Sequence, residues 1–131
     1  MMLFALATLV PCVALGAAGQ LCLKAGLDAV KLNLEIQEVG LALIAKSPLA
    51  VFGNPFVIFG FLAYGLSSIL WLTLVSKYPL SLIYPMVSLG YLFVVIGAAL
   101  IFKEKPNVYA IMAIMLIVAG VSLMAKAGKA V

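Results

Sequence analysis

Residues 56–102 read FVIFGFLAYGLSSILWLTLV (56–75), SKYP (76–79) and LSLIYPMVSLGYLFVVIGAALIF (80–102). Two apolar runs without a single Asp, Glu, Lys or Arg therefore flank Lys77-Tyr78-Pro79. A helix needs about 20 residues to cross the hydrocarbon core of a bilayer, and each run is long enough. In lipid the backbone must satisfy its own hydrogen bonds, so only helices or closed barrels can span it. These runs lack the alternating pattern of barrel strands, and helices are the remaining solution. The proline-bearing turn between them makes the pair an antiparallel hairpin.

Two further uncharged runs lie outward of this hairpin, at 3–23 and 108–125. The sequence therefore predicts a single all-α domain of four transmembrane helices over residues 1–131, with spans at about 3–23, 56–75, 80–102 and 108–125. Lys103-Glu104-Lys105-Pro106-Asn107 forms the last short connection, whereas the first is long and carries Asp28, Lys31, Glu35, Glu38 and Lys46 before the turn signal Gly53-Asn54-Pro55. Ile36, Val39, Leu43 and Ile44 recur there at helical spacing opposite the charges. This predicts a short helix lying in the interface plane, over about 35–52.

Composition agrees with the run lengths. Hydrophobic residues make up 67% of the chain and charged ones 9%, against roughly half and a quarter in soluble domains. Such a surplus of apolar surface must face lipid. The net charge of +4 comes from eight lysines against four acids, all in connections or at helix ends. They form no basic, aromatic-interleaved patch of the kind nucleic acid requires. Histidine is absent, and Cys12 and Cys22 stand ten positions apart in one helix. That spacing excludes a disulfide between them, and no cofactor or metal site is expected. No span pairs a nucleophile with a base or two carboxylates, so the chain does not read as an enzyme.

Ala14-Leu15-Gly16-Ala17-Ala18 resembles a signal-cleavage region, but no Lys or Arg precedes the first apolar run, so it is read as a mature span. With four spans the termini share a side. That side holds Lys77, Lys126 and Lys129, and the other holds Lys24, Lys31, Lys46, Lys103 and Lys105. So weak an asymmetry leaves orientation open.

Polar side chains inside a membrane are costly unless they face protein or a wet cavity, so their alignment is informative. On the first helix Thr8, Cys12, Gly16, Gln20 and Lys24 follow at i, i+4 spacing. Tyr64, Ser67, Ser68 and Trp71 share a face of the second helix, and Ser81, Tyr84, Ser88 and Tyr91 share one on the third. From these faces Gln20, Lys24, Tyr64, Ser67, Trp71, Tyr84, Ser88 and Tyr91 are the candidate substrate-binding residues. Pro85, which removes a backbone donor, and Gly90 are the candidate hinge, although Gly90 and Gly97, seven residues apart, also fit plain helix packing. The fourth helix is nearly all apolar, with Ala113 and Gly120 as small positions that admit another helix, so it is the expected dimer surface. Four helices enclose too little volume for a two-gated pathway, and pairing with an identical or similar four-helix subunit is expected. Singly, each feature has an ordinary explanation: a snorkelling Lys24, interfacial Trp71 and Tyr78, serines bonded to their own helix. The inference rests on three faces agreeing.

The segments Ala18-Gly19-Gln20-Leu21-Cys22-Leu23-Lys24 and Ile83-Tyr84-Pro85-Met86-Val87-Ser88-Leu89-Gly90-Tyr91 resemble the four-helix members of the drug/metabolite transporter superfamily. Within it the chain is most similar to the Arn-type subunits that flip aminoarabinose linked to undecaprenyl phosphate, and to EamA-like half-transporters. The likeness extends to Leu70-Trp71-Leu72 and Glu104, while the first loop is longer than in the Arn-type subunits. The resemblance implies a dimeric transporter of the inner (cytoplasmic) membrane acting on a lipid-linked, polyprenyl phosphate substrate. It puts Gln20 and Lys24 near the substrate path and Tyr84, Pro85 and Ser88 on the moving helix. A phosphate is expected at Lys24, with Gln20 one turn deeper.

Two other functions fit the same hydropathy. A small multidrug-resistance exporter of cations depends on a carboxylate within its first helix, and this first helix has none. Proton exchange through that helix is accordingly not expected. A non-transporting partner of a membrane glycosyltransferase would share the spans and the polar faces.

Overall fold

A computed structural model describes residues 2–35 and 40–127. Seven helices run through these residues: α1 (Met2–Leu34), α2 (Leu41–Lys46), α3 (Pro48–Phe52), α4 (Pro55–Lys77), α5 (Leu80–Val87), α6 (Leu89–Ile101) and α7 (Val108–Ala127). No strand occurs among the described residues. Taking α5 and α6 as one span, four helical segments are long and apolar enough to cross a membrane. The chain is an all-α, multi-pass membrane protein.

The turns form where their residues demand them. Asn54 caps α4, its Oδ1 accepting from the Phe56 amide at 2.9 Å with Pro55 as the first helical residue. Asn107 does the same for α7, accepting from the Ala110 amide at 2.9 Å. In both cases an amide side chain satisfies a backbone donor that the first helical turn leaves open. Between α4 and α5, Tyr78 and Pro79 are both extended, which reverses the chain in two residues.

Two boundaries differ from those read off the runs. Helix α1 does not stop near residue 23 but continues to Leu34, giving 33 residues and about 50 Å of helix. Hydropathy ends where lipid ends, whereas a helix ends where its backbone is broken. Here the extension stays helical because Val30 is buried with Leu43 and Val51, packed by Leu27, Ile44 and Ala50. Glu35, with φ of 53°, then leaves the helix. The connecting segment forms two short helices, α2 and α3. Leu43, read from the sequence as part of a helix in the interface plane, is buried with Val30 of α1, while Ile36, Glu38 and Val39 lie outside the described residues.

The third span is also interrupted. Pro85 has no N–H to give the carbonyl one turn back, and its ring crowds that carbonyl. Three residues later the helix breaks at Ser88, whose amide and hydroxyl both donate to the Pro85 carbonyl.

Helix α1 is the central element, lying against both α4 and α6. Against α4 the approach is backbone to backbone. A Cβ on Gly19 would stand 2.9 Å from the Gly60 carbonyl oxygen, and one on Gly60 would stand 2.9 Å from that of Gly19. Further along the same seam a Cβ on Gly26 would meet the Val57 side chain at 2.6 Å and its backbone nitrogen at 3.0 Å. Against α6, Leu21 occupies the place where Gly97 would carry a side chain, and Val13 faces Gly90. At the other end Leu9, Cys12 and Val13 join Leu74, Ile83, Met86 and Val121 in the main core. Helix α7 is the most exposed span: Ala113 and Gly120 both lie on its open side, and nothing stands within 4 Å of a Cβ built on Gly120.

A Cβ on Gly60 would meet the Leu23 side chain at 2.7 Å as well as the Gly19 carbonyl oxygen at 2.9 Å, and the carbonyl cannot yield as a side chain can. Gly60→Leu should therefore destabilise the protein by about 1–3 kcal/mol, read as a lower midpoint in thermal unfolding in detergent. Gly65→Ala, on the same helix but with open space around it, should stay within about 0.5 kcal/mol of the parent.

Candidate functional site

Because α1 lies between α4 and α6, it forms the floor of a groove whose walls are α4 on one side and α5–α6 on the other. The groove widens into a cavity of about 340 Å³. Its floor is Cys12, Val13, Gly16, Ala17 and Gln20; α4 supplies Tyr64, Ser67, Ser68 and Trp71; α5 and α6 supply Tyr84, Val87, Gly90, Tyr91 and Val94. The small floor residues create the space. A Cβ on Gly16 would already stand 3.1 Å from the Ser67 hydroxyl, and any larger side chain would fill the groove.

A reciprocal pair of bonds fixes the floor to the α4 wall. The Ser67 hydroxyl donates to the Cys12 carbonyl at 2.8 Å, and the Cys12 thiol donates to the Ser67 carbonyl at 3.3 Å. Across the groove the rings of Trp71 and Tyr84 meet edge to face, 5.5 Å between centroids and 85° between planes. That geometry suits two aromatic quadrupoles and joins the α4 wall to the α5 wall. Tyr64, Tyr84 and Tyr91 are each about half exposed or more, so the cavity opens sideways along an aromatic rim. None of the lining residues carries a charge. The cavity is thus a neutral site of rings, hydroxyls and one amide, suited to stacking and hydrogen bonding.

Six of the eight binding residues expected from the sequence line this one cavity: Gln20, Tyr64, Ser67, Trp71, Tyr84 and Tyr91. Two do not. The Ser88 hydroxyl is bonded to the Pro85 carbonyl. Lys24 lies a turn beyond Gln20, bonded to Glu104 of the α6–α7 turn, with its ammonium 4.6 Å from the centre of the Phe102 ring. Gly90, expected as a hinge, lies inside α6 and lines the cavity, while the helix break falls at Ser88 after Pro85. Ala113 and Gly120 on α7 are remote from the lining. Val13, Ala17, Val87 and Val94 complete the lining and stand on no polar stripe. Apolar residues in an apolar helix carry no signal of which face they occupy. Cys12, Gly16 and Ser68 were legible on the polar stripes.

Ser67→Ala should cost about 0.5–1.5 kcal/mol, the range for interhelical hydrogen bonds in membranes, measured by SDS titration followed by circular dichroism. Ser68→Ala should cost nothing measurable, since that hydroxyl only returns to Tyr64 of its own helix.

Comparison with known proteins supplies a context for this cavity. No family model matches the chain, and no solved structure matches it. Curated relatives do. A protein of Erwinia tasmaniensis named "Probable 4-amino-4-deoxy-L-arabinose-phosphoundecaprenol flippase subunit ArnE" is 33% identical over 63 residues, 48% of this chain and 58% of its own length. A Pseudomonas fluorescens protein of the same name is 30% identical over 71 residues, 54% of this chain and 62% of its own. One from Yersinia pseudotuberculosis is 29% identical over 112 residues, covering 81% of this chain and 82% of the relative. The first two alignments thus span about three fifths of those relatives' length.

Proposed function

We propose that this homologue of the Arn-type flippase subunits moves a lipid-linked sugar across the cytoplasmic membrane, working as one half of a dimer. The observation that carries this reading is the neutral, aromatic-rimmed cavity that opens sideways between α4 and α5–α6. A substrate that is part lipid must enter from the side, keeping its chain in the bilayer while its headgroup exchanges water for protein. Rings such as Trp71, Tyr84 and Tyr91 stack on the apolar faces of a sugar. The Ser67 and Ser68 hydroxyls and the Gln20 amide can bond its hydroxyls. The cavity's volume, about 340 Å³, is at the lower end of small-molecule sites, which run from roughly 300 to 1,000 Å³. It has room for a monosaccharide and not for a polyprenyl chain.

The relatives' names supply the class: an amino sugar joined through phosphate to undecaprenol. In this reading the sugar occupies the cavity and the phosphate lies toward Lys24, one turn beyond Gln20. An exporter that exchanges protons for cations would need a carboxylate in the cavity, and the lining has none. The open side of the site and the exposed face of α7 support the dimer in this reading. A second subunit, identical or similar, packs there through Ala113 and Gly120.

The cavity and the dimer are tested separately. The chain has one tryptophan, so its fluorescence reports on the cavity directly. In nanodiscs a polyprenyl phosphate-linked pentose should change Trp71 emission saturably, and the same prenyl phosphate without its sugar should not. Tyr91→Ala should weaken that response about two- to tenfold, the loss of one aromatic contact. A protein whose co-purified ligand, seen by native mass spectrometry, were a cationic amine would overturn the reading. For the dimer, Gly120→Leu should reduce cross-linking between subunits while leaving the monomer's unfolding midpoint unchanged. Strictly monomeric particles of the parent in nanodiscs would exclude the dimer.

A further inference from the structure

The position of Lys24 that suits a phosphate is already filled. Its ammonium is bonded to the Glu104 carboxylate, and Phe102 lies beneath it. The α6–α7 turn is shaped to deliver that carboxylate. Lys103 adopts a left-handed conformation, φ 55°, which turns the chain back so that the Glu104 amide reaches the Ala98 carbonyl at 3.4 Å. A residue with a Cβ rarely takes this conformation without compensation, and here the result is a carboxylate held over the end of the groove.

From this we infer that Glu104 is a resident stand-in for the substrate's phosphate, so that a lipid-linked phosphate binds Lys24 by displacing the carboxylate and thereby detaches the α6–α7 turn from α1. The inference rests on the proposed function and gives that same site a mechanism of release. Three observations support it. First, Lys24 follows Gln20 by one helical turn on the same face of α1, about 6 Å along the axis, so a headgroup in the cavity brings its phosphate to this point. Second, the two side chains are 45% and 49% exposed. An ion pair so accessible to solvent contributes little to stability and is readily exchanged. Third, Lys103 and Lys105 flank Glu104, so these three lysines against one carboxylate leave a local charge of +2, attracting a second anion.

Elsewhere along the α1–α6 seam Val13 packs at Gly90 and Leu21 at Gly97. Breaking the Lys24–Glu104 contact at its end frees the turn while leaving these apolar contacts packed. The break at Ser88 lies at the opposite end of α6 from this turn. Exchange at Lys24 would thus let α6 swing about Pro85–Ser88, and substrate binding itself would release the wall that must move.

The test is a titration with undecaprenyl phosphate in phosphatidylcholine nanodiscs, with bound lipid counted by native mass spectrometry. Glu104→Gln removes the competitor, and affinity should rise about three- to sixfold, as for a site whose competent state was a minority. Lys24→Ala should lower it about ten- to hundredfold. The double variant should match Lys24→Ala alone, because without the lysine there is nothing to vacate. Undecaprenol should bind all four proteins equally. If Glu104→Gln bound undecaprenyl phosphate no better than the parent, or more weakly, the exchange would be overturned, and Glu104 would be a structural clasp. In that case the sugar-dependent Trp71 response would still stand. Inorganic phosphate competing at equal concentration would instead mark a free-anion site and exclude the lipid. Loss of the Trp71 response with intact lipid binding would remove the sugar site and leave the exchange.

Discussion

A chain that spends most of its length in hydrocarbon has no solvent to hydrogen-bond its backbone, and it gains little from burying one apolar side chain against another instead of against lipid. Helices of such a chain associate through close packing. The contact that this protein depends on is therefore the approach of α1 to α4 at Gly19 and Gly60, where each backbone carbonyl fills the space that a side chain would need. The Cys12–Ser67 bonds continue the same seam. Once α4 is fixed on one side of α1 and α6 on the other, the groove between them is a consequence of geometry.

That groove combines two properties that usually conflict. Its floor must be small to leave room, yet small residues offer little to bind. The division of labour between elements resolves this: α1 supplies Gly16 and Ala17, while the walls supply Trp71, Tyr84 and Tyr91. Charge is kept out of the cavity and held at its end, where Lys24 meets Glu104. In the proposed function a headgroup would give up water for rings and hydroxyls without meeting a buried, unpaired charge. Desolvating such a charge would cost more than the contacts return.

The Lys24–Glu104 contact also bears on topology. It puts the end of the first span and the α6–α7 turn at one end of the bundle, while Leu6, Tyr78 and Met124 pack around the core at the other. The arrangement agrees with both termini sharing a side, as four spans require. It also groups Lys24, Lys103 and Lys105 together, as the lysine count did.

Most of the architecture was legible in the residues themselves. The length of an uncharged run is set by the thickness of hydrocarbon, so the four spans and their hairpin order follow from it directly, and the polar stripes marked faces of three helices that meet at one cavity. Those stripes held nine of the residues that meet in the cavity, six of them among the expected binding residues. Tertiary structure decided the rest. Sequence periodicity shows that Gln20 and Lys24 share a face, but it cannot show that Glu104, eighty residues away, folds back to occupy that lysine. Hydropathy marks where lipid ends near Leu23, but it does not register the packing of Val30 against Leu43 and Val51 that carries α1 on to Leu34. In each case the deciding partner is distant in the chain, and only the folded molecule brings it within contact.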